Sequence, residues 1–173
     1  MEDKLKEYNE KAKRAQMHIV LFQDAIYYIC KIHRIIKLSK GHGLLVGDGG
    51  SGRHCLTKLA AFIAEYHIFQ VELHKAYKLR EFREDIKRWS MQCGMKNQSG
   101  VFLFSDNEIV DESFMEDLNN ILTVGEIPNL FSPKEDLPMI REKVRKDYLN
   151  EKKLGKDARV HDDELNEFFY NRV

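Results

Sequence analysis

The residues best suited to chemistry lie in the run Gly47-Asp48-Gly49-Gly50-Ser51-Gly52-Arg53-His54. Two glycines bracket four residues and a base follows, which is the Walker A spacing. Glycine admits φ > 0, so successive backbone N–H groups can turn inward on phosphate oxygens, and a helix opening just after the loop points the positive end of its dipole at the same spot. Anion binding would follow from backbone alone, and Gly47, Gly49, Gly50, Ser51, Gly52, Arg53 and His54 are the expected nucleotide-binding residues. A glycine-rich turn without a ligand is the alternative reading. Two positions depart from the pattern. Arg53 stands where lysine reaches the outer phosphates; it keeps the charge, but a planar fork on a longer stem holds a phosphate differently from a compact ammonium. His54 stands where a Ser or Thr hydroxyl ligates Mg²⁺, and imidazole is a poor ligand for a hard cation that prefers oxygen. Thr57, nearly one turn further along, is not expected to substitute for that hydroxyl, and Asp48 is expected to turn its carboxylate outward.

A second constellation follows the apolar run Val101-Phe102-Leu103-Phe104. Ser105-Asp106-Asn107-Glu108 has the form of a Walker B segment, in which a strand delivers a carboxylate to the sheet edge where Mg²⁺ would sit. Asp106 is the candidate metal ligand, and this makes Mg²⁺ a conditional cofactor. Asn107 occupies the position of a water-polarising carboxylate, and an amide cannot accept that proton. If the strand stays regular, Glu108 points with Asp106 but lies about 6 to 7 Å further along, and it is expected to be a solvated loop carboxylate. The histidines form neither HxxxH nor HExxH, and Cys30, Cys55 and Cys93 form no CxxC, so no zinc site is expected. An odd number of widely spaced cysteines fits a reduced, intracellular setting.

These groups need elements to position them. Leu21, Ala25, Ile29, Ile32 and Ile36 lie on one face of a helix over about 20–38. Gly43 to Gly47 is expected as a first strand, with Leu56, Leu59, Ala60 and Ile63 marking the helix after the loop. Ile68 to Leu73 is expected as a second strand, followed by a helix buried along Leu79, Phe82, Ile86, Trp89 and Cys93. Val101 to Phe104 is expected as a third strand, with Phe114, Leu118, Ile121 and Leu122 on the next helix. Alternating strands and helices imply right-handed crossovers and a parallel three-layer α/β sheet, with Val46, Val71 and Phe102 on neighbouring strands. Six of the ten glycines fall between 41 and 52 and all three prolines between 128 and 138, which marks two loops. The expected organisation is a single unit over 1–173, divided into leading helices over 1–40, a core over 41–132 and a charged helical segment over 133–173 anchored by Leu165, Phe168 and Phe169. With 173 residues, 43% of them hydrophobic, one core is affordable and two full domains are not expected. Lys+Arg 28 against Asp+Glu 28 calls for neither nucleic acid nor an acidic membrane, and no apolar run approaches the roughly 20 residues of a membrane span.

Several stretches taken together resemble the fourth AAA module of axonemal dynein heavy chains, most like inner-arm types. They are Val20 to Ile26, GHGLLVGDGGSGRHCLTKLAAF across the loop, FREDIKR at 82–88, and VFLFSDNEIVDESFMEDLNNIL followed by GEIPNLF at 125–131. The likeness runs from about Tyr8 to Arg172. The family would carry glutamine at His54 and a small or apolar residue at Asp48. The resemblance implies a P-loop AAA+ fold, truncated before the last strands and the helical lid. It also implies a piece of an ATP-driven microtubule motor of the axoneme of cilia or flagella, within the cytoskeleton. ATP or ADP would bind with adenine near Leu21 and Phe22, and the module would regulate rather than hydrolyse. Partners implied are the neighbouring AAA modules of the same heavy chain, with microtubules and dynein light and intermediate chains reached only through the parent protein. A structural ring module with an empty loop remains a second reading, and an independent P-loop kinase, for which no lid is seen, a distant third.

Overall fold

The computed structural model describes residues 1–12, 16–155 and 158–173. Residues 13–15, inside the expected leading helices, and 156–157, inside the expected C-terminal segment, lie outside the described residues. The fold is α/β, with a small parallel sheet and helices. In order it comprises α1 (Glu2–Lys11), α2 (Gln23–Ile36), α3 (Arg53–Ile63), β1 (His67–Gln70), α4 (Leu79–Lys96), β2 (Gly100–Leu103), α5 (Ser113–Thr123), α6 (Asp136–Glu151) and α7 (Asp162–Tyr170), with a short 3-10 turn at Asp106–Glu108. Met1–Phe69 and Gln70–Val173 form two compact units.

In the first unit, α2 buries Ala25, Ile29 and Ile32 against Leu56, Leu59 and Ala60 of α3, as the spacing of four and three requires. Leu59 and Ala60 are fully buried. α1 has no buried residue of its own. It is held by Tyr8, edge-on to Phe62 at 5.3 Å, and by Asn9, whose amide donates to the Met17 carbonyl at 3.0 Å while its oxygen accepts the Met17 N–H at 2.7 Å.

In the second unit, α4 presents Phe82 in a parallel stack on Phe114 of α5, with ring centroids 4.4 Å apart. A charge-assisted fork joins the same helices: Arg83 donates twice to Asp117, at 2.7 and 2.9 Å. A further cluster unites Phe131, Ile140, Val144, Leu165 and Phe169, so the expected anchors Leu165 and Phe169 are buried. Gly94 on α4 faces the Phe169 ring so closely that a Cβ there would lie 2.3 Å from it, and only glycine fits. Asn97 at φ 52° ends α4 in the left-handed conformation.

Three expectations are corrected. The sheet contains two strands among the described residues, not three: Gly43 to Gly47 joins none. A strand exists by exchanging ladder bonds with a neighbour; without one, Leu45 packs on the α2–α3 core while Leu44 and Val46 are exposed at 92% and 85%. Val46, Val71 and Phe102 therefore do not share a sheet, since Val71 lies just past β1 and only Phe102 is in a strand. On α5, Phe114 is buried but Leu122 is 57% exposed, so the buried face of the helix is narrower than its apolar spacing suggests.

Candidate functional site

The loop lies in the first unit, between Leu45, seated on the core, and α3. Asp48 to Ser51 forms a tight turn closed by the Ser51 N–H donating to the Asp48 carbonyl at 3.2 Å, with Gly50 at φ 80°. Positive φ at the third residue of such a turn calls for glycine. Gly52, at φ 77°, then opens α3, with no side-chain cap. The first helical bond runs from the Leu56 N–H to the Gly52 carbonyl at 2.9 Å. The N–H groups of Arg53, His54 and Cys55 consequently have no partner among the described residues, the usual condition of an uncapped helix start. A Cβ placed on Gly49, Gly50 or Gly52 would meet nothing within 4 Å, whereas one on Gly47 would lie 3.2 Å from the Ser51 Oγ. The loop is thus closed at Gly47 and open beyond it.

The side chains here divide into those turned back on the loop and those left free. Arg53 is half-buried and reaches the Asp48 carbonyl with Nη2 at 3.5 Å, a weak bond at the limit of the geometry. Asp48 and His54 are exposed. Thr57 is 5% exposed and donates its hydroxyl to the Arg53 carbonyl at 2.9 Å, so it is committed inside the helix. Leu21 borders the α2–α3 core alongside Leu45 and Cys55, and Phe22, at the start of α2, is 59% exposed.

Asp106, Asn107 and Glu108 belong to the second unit. β2 stops at Leu103 and the chain turns through the 3-10 segment, so the regular strand that would aim Glu108 with Asp106 is absent. Asp106 and Asn107 are exposed. Glu108 is 6% exposed rather than solvated. One carboxylate oxygen accepts the Ser105 N–H at 2.7 Å and the other accepts the Gln70 side-chain amide at 3.2 Å. It fastens the end of β2, a role legible in the Ser105-x-x-Glu108 spacing of a capping box.

The chemistry of this donor set fits an anion better than a metal. Free amides at a helix start and a guanidinium suit phosphate oxygens. On the loop side, the oxygen that would hold Mg²⁺ is replaced by imidazole and the Thr57 hydroxyl is already bonded. No group of three His, Cys, Asp or Glu residues placed to hold a metal occurs among the described residues. No helix among them is long and apolar enough to cross a membrane.

A glycine turn opening onto a helix with free leading amides, inside an α/β fold, fits the P-loop class. A family model described as the P-loop containing dynein motor region D4 matches residues 17–173, and the chain belongs to that family. It is 48% identical over 143 residues to the dynein-1-beta heavy chain of the flagellar inner arm I1 complex of Chlamydomonas reinhardtii, covering 83% of this chain and 3% of that one. It is 50% identical over 135 residues to mouse dynein axonemal heavy chain 2, covering 78% and 3%, and 46% identical over 145 residues to human dynein axonemal heavy chain 3, covering 84% and 4%. The chain therefore spans only a few per cent of the length of these relatives.

Proposed function

We propose that this chain is the fourth AAA module of an axonemal dynein heavy chain of inner-arm type, and that it binds ATP or ADP on the loop at 47–54 as a regulatory site with little hydrolysis of its own. The parent would be an ATP-driven microtubule motor of the ciliary or flagellar axoneme, with neighbouring modules of the same heavy chain as this module's direct partners and microtubules and light and intermediate chains as the parent's. The observation that carries the binding claim is the set of unpartnered N–H groups of Arg53, His54 and Cys55 at the uncapped start of α3, directly after the glycine turn. Gly47 to His54 would hold the phosphates and Leu21 and Phe22 the base. Weak hydrolysis is supported by two groups: Asn107 cannot take a proton, and both oxygens of Glu108 are engaged elsewhere. Asp106 is the one carboxylate proposed for Mg²⁺, and His54 stands at the loop position whose hydroxyl would share that metal.

A second reading, a structural module with an empty loop, is favoured by one feature. Ser51 N–H and Arg53 both donate to the Asp48 carbonyl, so two donors that would serve a phosphate are satisfied within the loop. Thermal unfolding with ATP or ADP, each with and without Mg²⁺, separates the readings. A ligand at 100 times its dissociation constant stabilises the folded state by about 2.7 kcal/mol. Binding predicts a rise in melting temperature that depends weakly on Mg²⁺ and is reduced at least tenfold in affinity by Arg53→Ala, the loss expected for a charge-assisted contact of about 1.5–3 kcal/mol. No rise at millimolar nucleotide would favour the empty loop.

A further inference from the structure

Of the ten glycines, only Gly49 follows an aspartate and none follows an asparagine, so Asp48-Gly49 is the one pair of its kind in the 173 residues. The pair opens the glycine turn. Among the described residues the Asp48 carboxylate has no hydrogen bond or ion pair, and the Gly49 N–H has no acceptor. A Cβ at Gly49 would meet nothing within 4 Å, and Gly49 is not among the glycines held at positive φ. The Asp48 carbonyl oxygen is instead doubly engaged, accepting the Ser51 N–H at 3.2 Å and Arg53 Nη2 at 3.5 Å.

The Cγ of an aspartate can close a five-membered ring on the nitrogen of the residue that follows it. A side chain on that next residue hinders the closure, and glycine has none. The nitrogen must also give up its proton, and the charge that develops is shared with the oxygen of the same peptide group. Donors already aimed at that oxygen stabilise it. The other exposed aspartates lack this combination. Asp24, Asp106 and Asp162 precede Ala25, Asn107 and Asp163, and the Asp111 carboxylate is held by Ser113, its Oδ1 accepting the N–H at 2.9 Å and the hydroxyl at 2.6 Å.

We propose that Asp48-Gly49 is a covalent modification site, at which the aspartate isomerises through a succinimide to a β-aspartyl link with the help of Ser51 and Arg53. The Gly49 nitrogen attacks Asp48 Cγ: the N–Cγ bond forms, the nitrogen loses its proton, and one side-chain oxygen leaves as water. Water then opens the ring. Cleaving the new N–Cγ bond returns the aspartate, whereas addition at the Asp48 backbone carbonyl carbon cleaves the bond from that carbon to the Gly49 nitrogen. The chain then runs through Cγ and a free α-carboxylate remains. The two donors on the backbone carbonyl oxygen favour this second course, since charge develops on that oxygen as water adds. Water is released and taken up again, and nothing is oxidised or reduced. The link inserts one methylene into the turn and converts the carbonyl that closes it into a carboxylate. Its product suits the class of enzyme that transfers a methyl group from S-adenosylmethionine to the α-carboxylate of a β-aspartyl residue. None of this depends on the loop holding a nucleotide.

Ageing the chain at neutral pH, followed by tryptic mapping, tests this. The peptide 41–53, bounded by Lys40 and Arg53, should split into two species of equal mass and different retention. The new one should resist an aspartate-specific protease at Asp48 and take label from the methyltransferase. Peptides carrying Asp24, Asp106, Asp111 and Asp162 should stay single. Gly49→Ala, for which the structure has open space, should slow the conversion by about tenfold or more, and Asp48→Glu, whose ring would need six members, should abolish it. Arg53→Gln should slow it roughly threefold, the share of one weak hydrogen bond, as read from the rate of methyltransferase labelling. Far-UV circular dichroism verifies that each variant stays folded. A peptide 41–53 that remains a single species, a Gly49→Ala chain that converts as fast as the parent, or label spread evenly over the aspartates overturns the inference. Equal rates in the parent and Arg53→Gln overturn the assistance assigned to the turn.

Discussion

Removing either partner of the Arg83–Asp117 fork should destabilise the second unit unequally, and the inequality follows from exposure. The Asp117 side chain is 3% exposed and that of Arg83 42%. Arg83→Ala leaves a carboxylate with almost no access to water and no counter-charge. Breaking a buried pair in that way costs about 3–5 kcal/mol. Asp117→Ala leaves a guanidinium that solvent can reach; the loss is then that of charge-assisted hydrogen bonds, about 1.5–3 kcal/mol. Arg83→Lys keeps the charge but not the two-pronged geometry, and should cost about 1 kcal/mol. The double variant should be no worse than Arg83→Ala alone, since the orphaned carboxylate is gone and coupled residues are not additive. Urea unfolding followed by Trp89 fluorescence measures this well. Trp89 is the one tryptophan of the chain, and its ring lies 5.4 Å from that of Phe102 inside the same unit. With a slope of about 1–3 kcal/mol per molar urea, a loss of about 4 kcal/mol moves the midpoint by more than 1 M. If Asp117→Ala costs as much as Arg83→Ala or more, the argument from the buried carboxylate is refuted.

Other perturbations bear on the same architecture. Gly94→Ala should destabilise the second unit by about 1–3 kcal/mol, because the added methyl collides with the buried Phe169 ring, and Phe169→Leu should recover part of the loss; urea midpoints of the single and double variants check it. Burial, and then the hydrogen bond to Asp85, hold the Tyr77 phenol above its ordinary pKa. A folded pKa above the unfolded one contributes stability that is full below pH about 10 and lost as pH rises further. Tyr77→Phe should therefore lower stability at pH 8 and flatten its fall above pH 10, as paired denaturation curves would reveal. Burial pushes the Cys93 thiol up to about 11 while Cys30 is exposed; iodoacetamide at pH 8 should label Cys30 within minutes and Cys93 only on unfolding, and peptide mass mapping decides between them.

The helices were legible because their signal is local. Apolar spacing of three and four placed α2, α3 and α4 within a few residues, and the buried sets Ala25, Ile29, Ile32 and Phe82, Ile86, Cys93 are the ones that spacing selects. The glycine cluster announced a turn that needs positive φ, and Gly50 and Gly52 adopt it. Glu108 is also legible in the spacing behind Ser105, but the expectation of a solvated loop carboxylate overlooks that capping box.

What sequence alone determined, then, is the helical periodicity, the loop with its unusual Arg53 and His54, and the family those motifs belong to, because each depends on residues close together along the chain. Tertiary structure alone decided that Gly43 to Gly47 stays out of the sheet, that Leu122 faces outward, and that Glu108 is tied to Gln70 from 38 positions away. A strand is defined by its neighbour's hydrogen bonds, and burial by what packs on a face. Both are properties of distant residues brought together, and no local pattern contains them.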